Sequence, residues 1–345
     1  DGPRVWRGVD RHCAVAGAET CKASENGSER DHTMKSDSST FTYRKLSAAP
    51  CNKIIILKSL REEDPDTADY LYRHITESVN PERIRKGEAA AAPVVERLES
   101  KRHLFDKLEA IRLACLKGTA PIIHLETHGC EGQGLVIFPR QADPEIVTWE
   151  ELIEIFRDIN IACNGNLTVI LAACHSFEME KESVKQQRPS PFFAFIGYEK
   201  KILPCDIERD LAFLYDSLLL ESTLPSEKDS TMEKYKLYTE DSLVLSFIGV
   251  LLSNLSSPGS AEGLIPTFEQ FSAPPYPLAH LPIEKQIQIF EESLKSEQTV
   301  LRIVETFMQN KENAELLKQD IRKHFLTHFP AVEGDSLKPF EQLGM

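Results

Sequence analysis

The chain has 345 residues, 41% of them hydrophobic, with 40 Lys and Arg against 54 Asp and Glu for a formal net charge of −14. That length holds one large domain or two modest ones with a sizeable core. The acidic balance excludes the basic face a nucleic-acid binder needs for phosphates, and it argues against an anionic membrane surface as partner.

Residues 1–45 are rich in Ser, Gly and charged residues and lack apolar periodicity. Such a stretch cannot bury enough surface to offset chain entropy, so a disordered or non-native segment is expected there. Met34 opens a plausible polar start, and residues 1–33 are expected to be a tag, a processed stub or translated upstream sequence. No basic-then-apolar leader is visible. The longest apolar run, Leu243 to Leu252, is about half the ~20 residues a spanning helix requires. Eight cysteines without CxxC pairing point to reduced thiols, a cytoplasmic location, no structural zinc and no cofactor.

The ordered part is expected to begin at NKIIILKSL, a short β-branched run suited to a buried strand. DTADYLYRHI reads as helix, as does the stretch from Pro93 to Gly118, with Leu104, Leu108, Ile111 and Cys115 at helical spacing. APIIHLETHG is a second strand and LVIF a short hairpin strand. Thr148 to Asn160 reads as a helix with a Thr148/Glu151 capping box. NLTVILAAC and PFFAFIGYE supply two more strands, and a helix follows with Asp206 as expected N-cap. LPSEKDSTMEKYK is read as a polar surface loop, and Leu243–Leu252 as buried helix or strand. From Ile283 to Phe329 the helical period returns. Alternating strands and helices imply an α/β fold, a mainly parallel sheet with helices on both faces. The expected domains are a sheet domain over 50–255 and a helical C-terminal subdomain over 265–335. No GxGxxG or GxxxxGK phosphate loop occurs.

Two strand ends carry chemistry. ETHG ends in His128 and Gly129, and AACHS carries Cys174. Ligands collect outside the carboxyl ends of parallel strands. If these two strands are neighbours, imidazole and thiol converge. The imidazole then takes the thiol proton and returns it to a leaving amine. Gly129, lacking Cβ, turns its N–H toward the reacting carbonyl, and with the Cys174 N–H makes an oxyanion hole. Ala172 and Ala173 are expected to let substrate approach beside the nucleophile. His175 is read as a wall residue, Glu126 and Glu131 as rim charges, and Trp149 as a packing anchor. Cys130 and His124 are too few to hold a metal. The C-terminal apolar stripe is read as core.

Strand-His-Gly followed about fifty residues later by strand-small-Cys resembles the caspase-like (clan CD) cysteine peptidases. IIHLETHG, GLVI, TWEELIEIFRDIN, VILAACHSF and FFAFIGYEKKILPCDIERDLAFLYDSLL are most similar to the CHAT-type branch. The resemblance spans roughly residues 50–220 and implies a caspase-like fold. It implies a cysteine endopeptidase with His128 as base and acid, Cys174 as nucleophile, and Gly129 and Cys174 as oxyanion donors. It also implies a protein or peptide substrate and regulation by a protein partner in bacterial signalling or antiviral defence. The C-terminal helical part is the candidate docking surface. Ala172, His175 and Ser176 depart from the caspase QACRG-like motif, so aspartate specificity is not implied. Asp206 is a candidate carboxylate for a basic substrate residue. The alternatives are an inactive caspase-like scaffold and a thiol amidase acting on small substrates.

Overall fold

The computed structural model describes residues 30–35, 40–45, 48–49, 51–140, 142–186, 188–225, 235–242, 244–245, 282, 285 and 297–328. The apolar run after Asn52 forms strand β3 (Lys53–Ser59), whose side chains alternate between two buried layers. It pairs in parallel with β4 (Pro93–Arg97) on one side and β5 (Pro121–Cys130) on the other. β8 (Thr168–Ala172) and β9 (Ala194–Tyr198) continue the parallel sheet, and β10 (Tyr235–Thr239) closes it antiparallel to β9. The order is therefore β10-β9-β8-β5-β3-β4. β5 also turns back into β6 (Gly134–Ile137), which pairs with β7 (Glu145–Thr148).

Helices cover both faces. One layer holds α3 (Lys101–Cys115), α4 (Trp149–Ala162) and α5 (Glu178–Lys185), packing Leu108, Phe156 and Met179 on Leu57, Leu125 and Leu171. The other holds α1 (Thr67–Arg73), α2 (Asn80–Arg85) and α6 (Pro204–Leu220), packing Leu71, Leu211 and Tyr215 on Ile56, Ile122 and Ile170. A π-helical turn, His74–Val79, joins α1 to α2. The mainly parallel α/β architecture expected from the alternation is the one observed. The Thr148/Glu151 capping box also forms at the start of α4.

Several local readings are corrected. Pro93–Arg97 is the edge strand β4, and α3 starts only after Ser100, whose hydroxyl accepts the His103 N–H. Pro93 at the head of an edge strand and two valines favour extension over helix. Tyr235–Thr239 lay inside the polar loop reading or beside it, yet pairs with β9 and buries Tyr235 and Tyr238. Residues 30–45, expected without structure, contain the hairpin β1 (Arg30–Lys35) and β2 (Thr40–Lys45), with β2 alongside the last helix. The aromatic and β-branched residues of TFTYRK suit a strand. The reading of Leu243–Leu252 falls largely outside the described residues.

The C-terminal helices α7 (Glu297–Phe307) and α8 (Lys311–His328) bury Val300, Val304, Leu317 and Ile321. Their joint is tied to the sheet by a buried carboxylate. Glu240, just after β10, accepts the N–H groups of Gln309 and Asn310 and the Asn313 amide. Gly165, at φ 74°, sits against the Asn310 backbone with no room for a Cβ. This contact lies at the N-terminal end of β8, opposite the strand ends that carry His128 and Cys174. Among the described residues no helix is long and apolar enough to cross a membrane.

Candidate active site

The β5–β8 ladder sets the geometry. Ile122 faces Thr168 and Glu126 faces Ala172, a constant offset of 46 residues (168 − 122). His128 and Cys174 carry the same offset (174 − 128), two residues past the last rung. Both therefore lie beyond the same end of the paired strands. Gly129 makes this closeness possible: a Cβ there would lie 1.7 Å from the Cys174 carbonyl oxygen and 3.1 Å from its nitrogen. No side chain fits at 129 while Cys174 stays in place.

Both side chains meet the loops that open the α1/α6 layer. The Cys174 sulfur accepts the Ile202 N–H at 3.4 Å, just before α6. The His128 Nε2 bonds Asp64 Oδ2 at 2.7 Å, in the loop between β3 and α1, and the ring lies edge-on to Phe138. A carboxylate only accepts, so Nε2 carries the proton and Nδ1 is the free basic nitrogen. Asp64 also takes the Arg61 backbone N–H and a two-pronged guanidinium contact. Burial pushes its carboxyl pKa up, but the Arg61 and His128 bonds outweigh this and hold it below the ordinary value. Asp64 therefore stays ionised and orients the ring. Sequence reading passed over it within REEDPD. The available signal was its place just past the end of β3, the strand beside β5.

The segment after β8 is bent back onto β9. Ser176 is buried, donates to the Leu171 carbonyl and accepts the Tyr198 N–H. Phe177 N–H bonds the Tyr198 carbonyl, and His175 takes a left-handed φ of 58°. These contacts fix Cys174 at the turn, partly exposed. His175 is thus on a bend that follows the end of β8.

Other expectations change. Ala172 and Ala173 are both 1% exposed and belong to the core on opposite faces, so they do not line an approach to the thiol. Asp206 is not the N-cap of α6. Leu203 holds that place, and the buried Asp206 carboxylate pairs with Arg209 in the first turn. Glu126 is not a rim charge: it is 1% exposed and accepts the Thr67 hydroxyl. Burial pushes its pKa up to about 7. His124, beside it under the sheet, meets Tyr215 Oη and is held to about 3 by burial. It stands apart from Cys130, which is at the end of β5. Glu131 is exposed as expected, and Trp149 is a buried anchor whose Nε1–H bonds Glu178.

No protein-family model matches the sequence, and no curated protein matches it. Among solved structures it is similar to a secreted C11 cysteine protease from Bacteroides thetaiotaomicron, determined in complex with an irreversible peptide inhibitor. Identity is 9% and the TM-score 0.32, over 57% of this chain and 70% of that one. So distant a likeness assigns no activity.

Proposed function

We propose that this protein is a cysteine peptidase of the caspase-like type, cutting peptide bonds through a His128/Cys174 pair oriented by Asp64. One observation carries the reading: His128 and Cys174 lie beyond the same end of the paired β5 and β8, with Gly129 packed on the Cys174 backbone. In the proposed reaction the thiol proton passes to His128 Nδ1 and sulfur attacks the scissile carbonyl carbon. The oxyanion is met by the Gly129 and Cys174 N–H groups. The imidazolium then protonates the leaving amine, giving a thioester. Water attacks it as His128 takes its proton, and cleavage of the C–S bond returns the thiol. Asp64 holds the tautomer throughout, the part an orienting carboxylate plays in a triad.

A thiol-reactive peptidyl electrophile tests this. Labelling at Cys174 is expected, and it is expected to collapse in His128→Ala. Labelling undiminished by that change, or absent in the wild type with a range of peptides and with lysate added as a source of activator, would defeat the enzyme reading and leave the scaffold. A peptide-library screen separates endopeptidase from small-substrate amidase. Regulation by a protein partner belongs to the same proposal; Asp206, buried and paired with Arg209, is left out of it.

A further inference from the structure

Next to Cys174 along the chain, three side chains with metal-ligating atoms converge. One carboxylate oxygen each from Glu131 and Glu178 and one ring nitrogen of His175 lie within 4.8 Å of one another. Glu131 is in the turn between β5 and β6, His175 directly follows Cys174, and Glu178 opens α5. We propose that Glu131, His175 and Glu178 form a binding site for a divalent transition-metal ion of the zinc type, clasping the hairpin that bears His128 to the loop that bears Cys174.

Three features support it. The His175 Nε2 is sealed from solvent and has no hydrogen-bond partner among the described residues, an arrangement that costs about 1–3 kcal/mol unless something meets the ring. Glu178 is already oriented by outer contacts: its Oε2 accepts the Gly132 N–H at 2.8 Å and the Trp149 Nε1–H at 3.1 Å. Partners of that kind fix ligating groups in metal sites. The donor set also selects the ion. Two carboxylates balance a 2+ charge, and an imidazole favours zinc-like ions over magnesium or calcium, which take oxygen donors. Drawing the atoms to the tetrahedral edge of about 3.4 Å, which follows from bonds of about 2.1 Å, takes small side-chain movements. Glu131 is exposed, so the ion has a way in, and water completes the shell. This departs from the expectation of no metal.

Zinc chloride titration by calorimetry tests the site, with the full chain carrying Cys174→Ser so that the catalytic thiol cannot compete. One ion per chain is expected. His175→Asn, which keeps a side chain tolerant of the left-handed backbone, and Glu131→Gln, an exposed change that leaves folding intact, are each expected to weaken binding by about 10–100-fold or more, the range seen when even outer partners are lost. Cobalt(II) in the same background is expected to show ligand-field bands without thiolate charge transfer. Unchanged affinity in Glu131→Gln, no binding at all, or a thiolate band from another cysteine would overturn the proposal. Binding is read without catalysis, so a failed peptidase assay leaves this result standing, and the reverse holds too.

Discussion

Gly129→Ala is the sharpest probe of the site. An added Cβ would sit 1.7 Å from the Cys174 carbonyl oxygen. Ordinary contact begins near 3.4 Å, so the strand end and the Cys174 turn must part by about 1.7 Å. Neither partner is a flexible side-chain tip; both are backbone, and the turn is pinned by Ser176. Overpacking of this kind costs about 1–3 kcal/mol in stability. The effect on the site is larger, since about 1 Å of misplacement costs on the order of 100-fold in reactivity. The assay is the second-order rate of Cys174 labelling by a peptidyl electrophile, with urea unfolding in parallel. Gly118→Ala is the control. Gly118, unlike Gly129, has a positive φ, of 95°, and its missing Cβ faces open space far from the site. It is expected to lose about 1 kcal/mol of stability and no labelling rate. Should Gly129→Ala label at the wild-type rate, the contact between the two strand ends has been misjudged and the dyad argument falls with it.

Asp64→Asn keeps the shape but removes the fixed charge facing Nε2. Labelling and cleavage rates are expected to drop by about 100-fold or more, with the loss in kcat rather than KM; an unchanged rate would strip Asp64 of its orienting role. Glu126 is an acid whose pKa rises from 4.5 unfolded to about 7 folded, chiefly through burial. The native state therefore binds more protons between those values, and its stability falls as pH rises from about 4.5 to 7, by about 3 kcal/mol. Glu126→Gln should remove that slope, so urea curves at pH 5 and 7.5 should show the variant gaining on the wild type at the higher pH; parallel shifts would contradict the assignment. His124, held near 3, works the other way, with its contribution lost as pH falls below 6.5. Glu240→Ala strands the Gln309 and Asn310 N–H groups and is expected to destabilise the protein by about 2–3 kcal/mol, measured by chemical unfolding; labelling of Cys174 should persist under native conditions.

Much of the sheet was legible because its strands are continuous β-branched runs between helical periods. NKIIILKSL and NLTVILAAC carry no competing pattern, and the capping box at Thr148 announces α4. β4 and β10 were hidden because each draws its order from a neighbour: Val94 and Val95 look helical until β3 lies beside them, and Tyr235 gains its burial from β9. His128, Gly129 and Cys174 could be read as strand-end residues of the right chemistry. Asp64 could not, since a carboxylate in a charged loop is ordinary until the loop folds over the imidazole. Glu126 and Glu131 look alike in sequence, but five residues of strand and turn put one under the sheet and the other in solvent. The trio of Glu131, His175 and Glu178 depends on the bend at His175, which no period in the sequence reveals.

The pairing of β5 with β8 has a consequence for how this chain tolerates change. The distance along the chain from imidazole to thiol is not itself conserved by any force; what counts is that it equals the ladder's own offset. Residues inserted in the connection between β6 and β7 lengthen both quantities together and leave the two groups opposed. A single residue lost inside β8 shortens the separation by one while the rungs before it keep their offset, so it slides the thiol one step along and turns it to the other face, away from the ring. The loops are therefore free to vary, while the strands keep time for the chemistry.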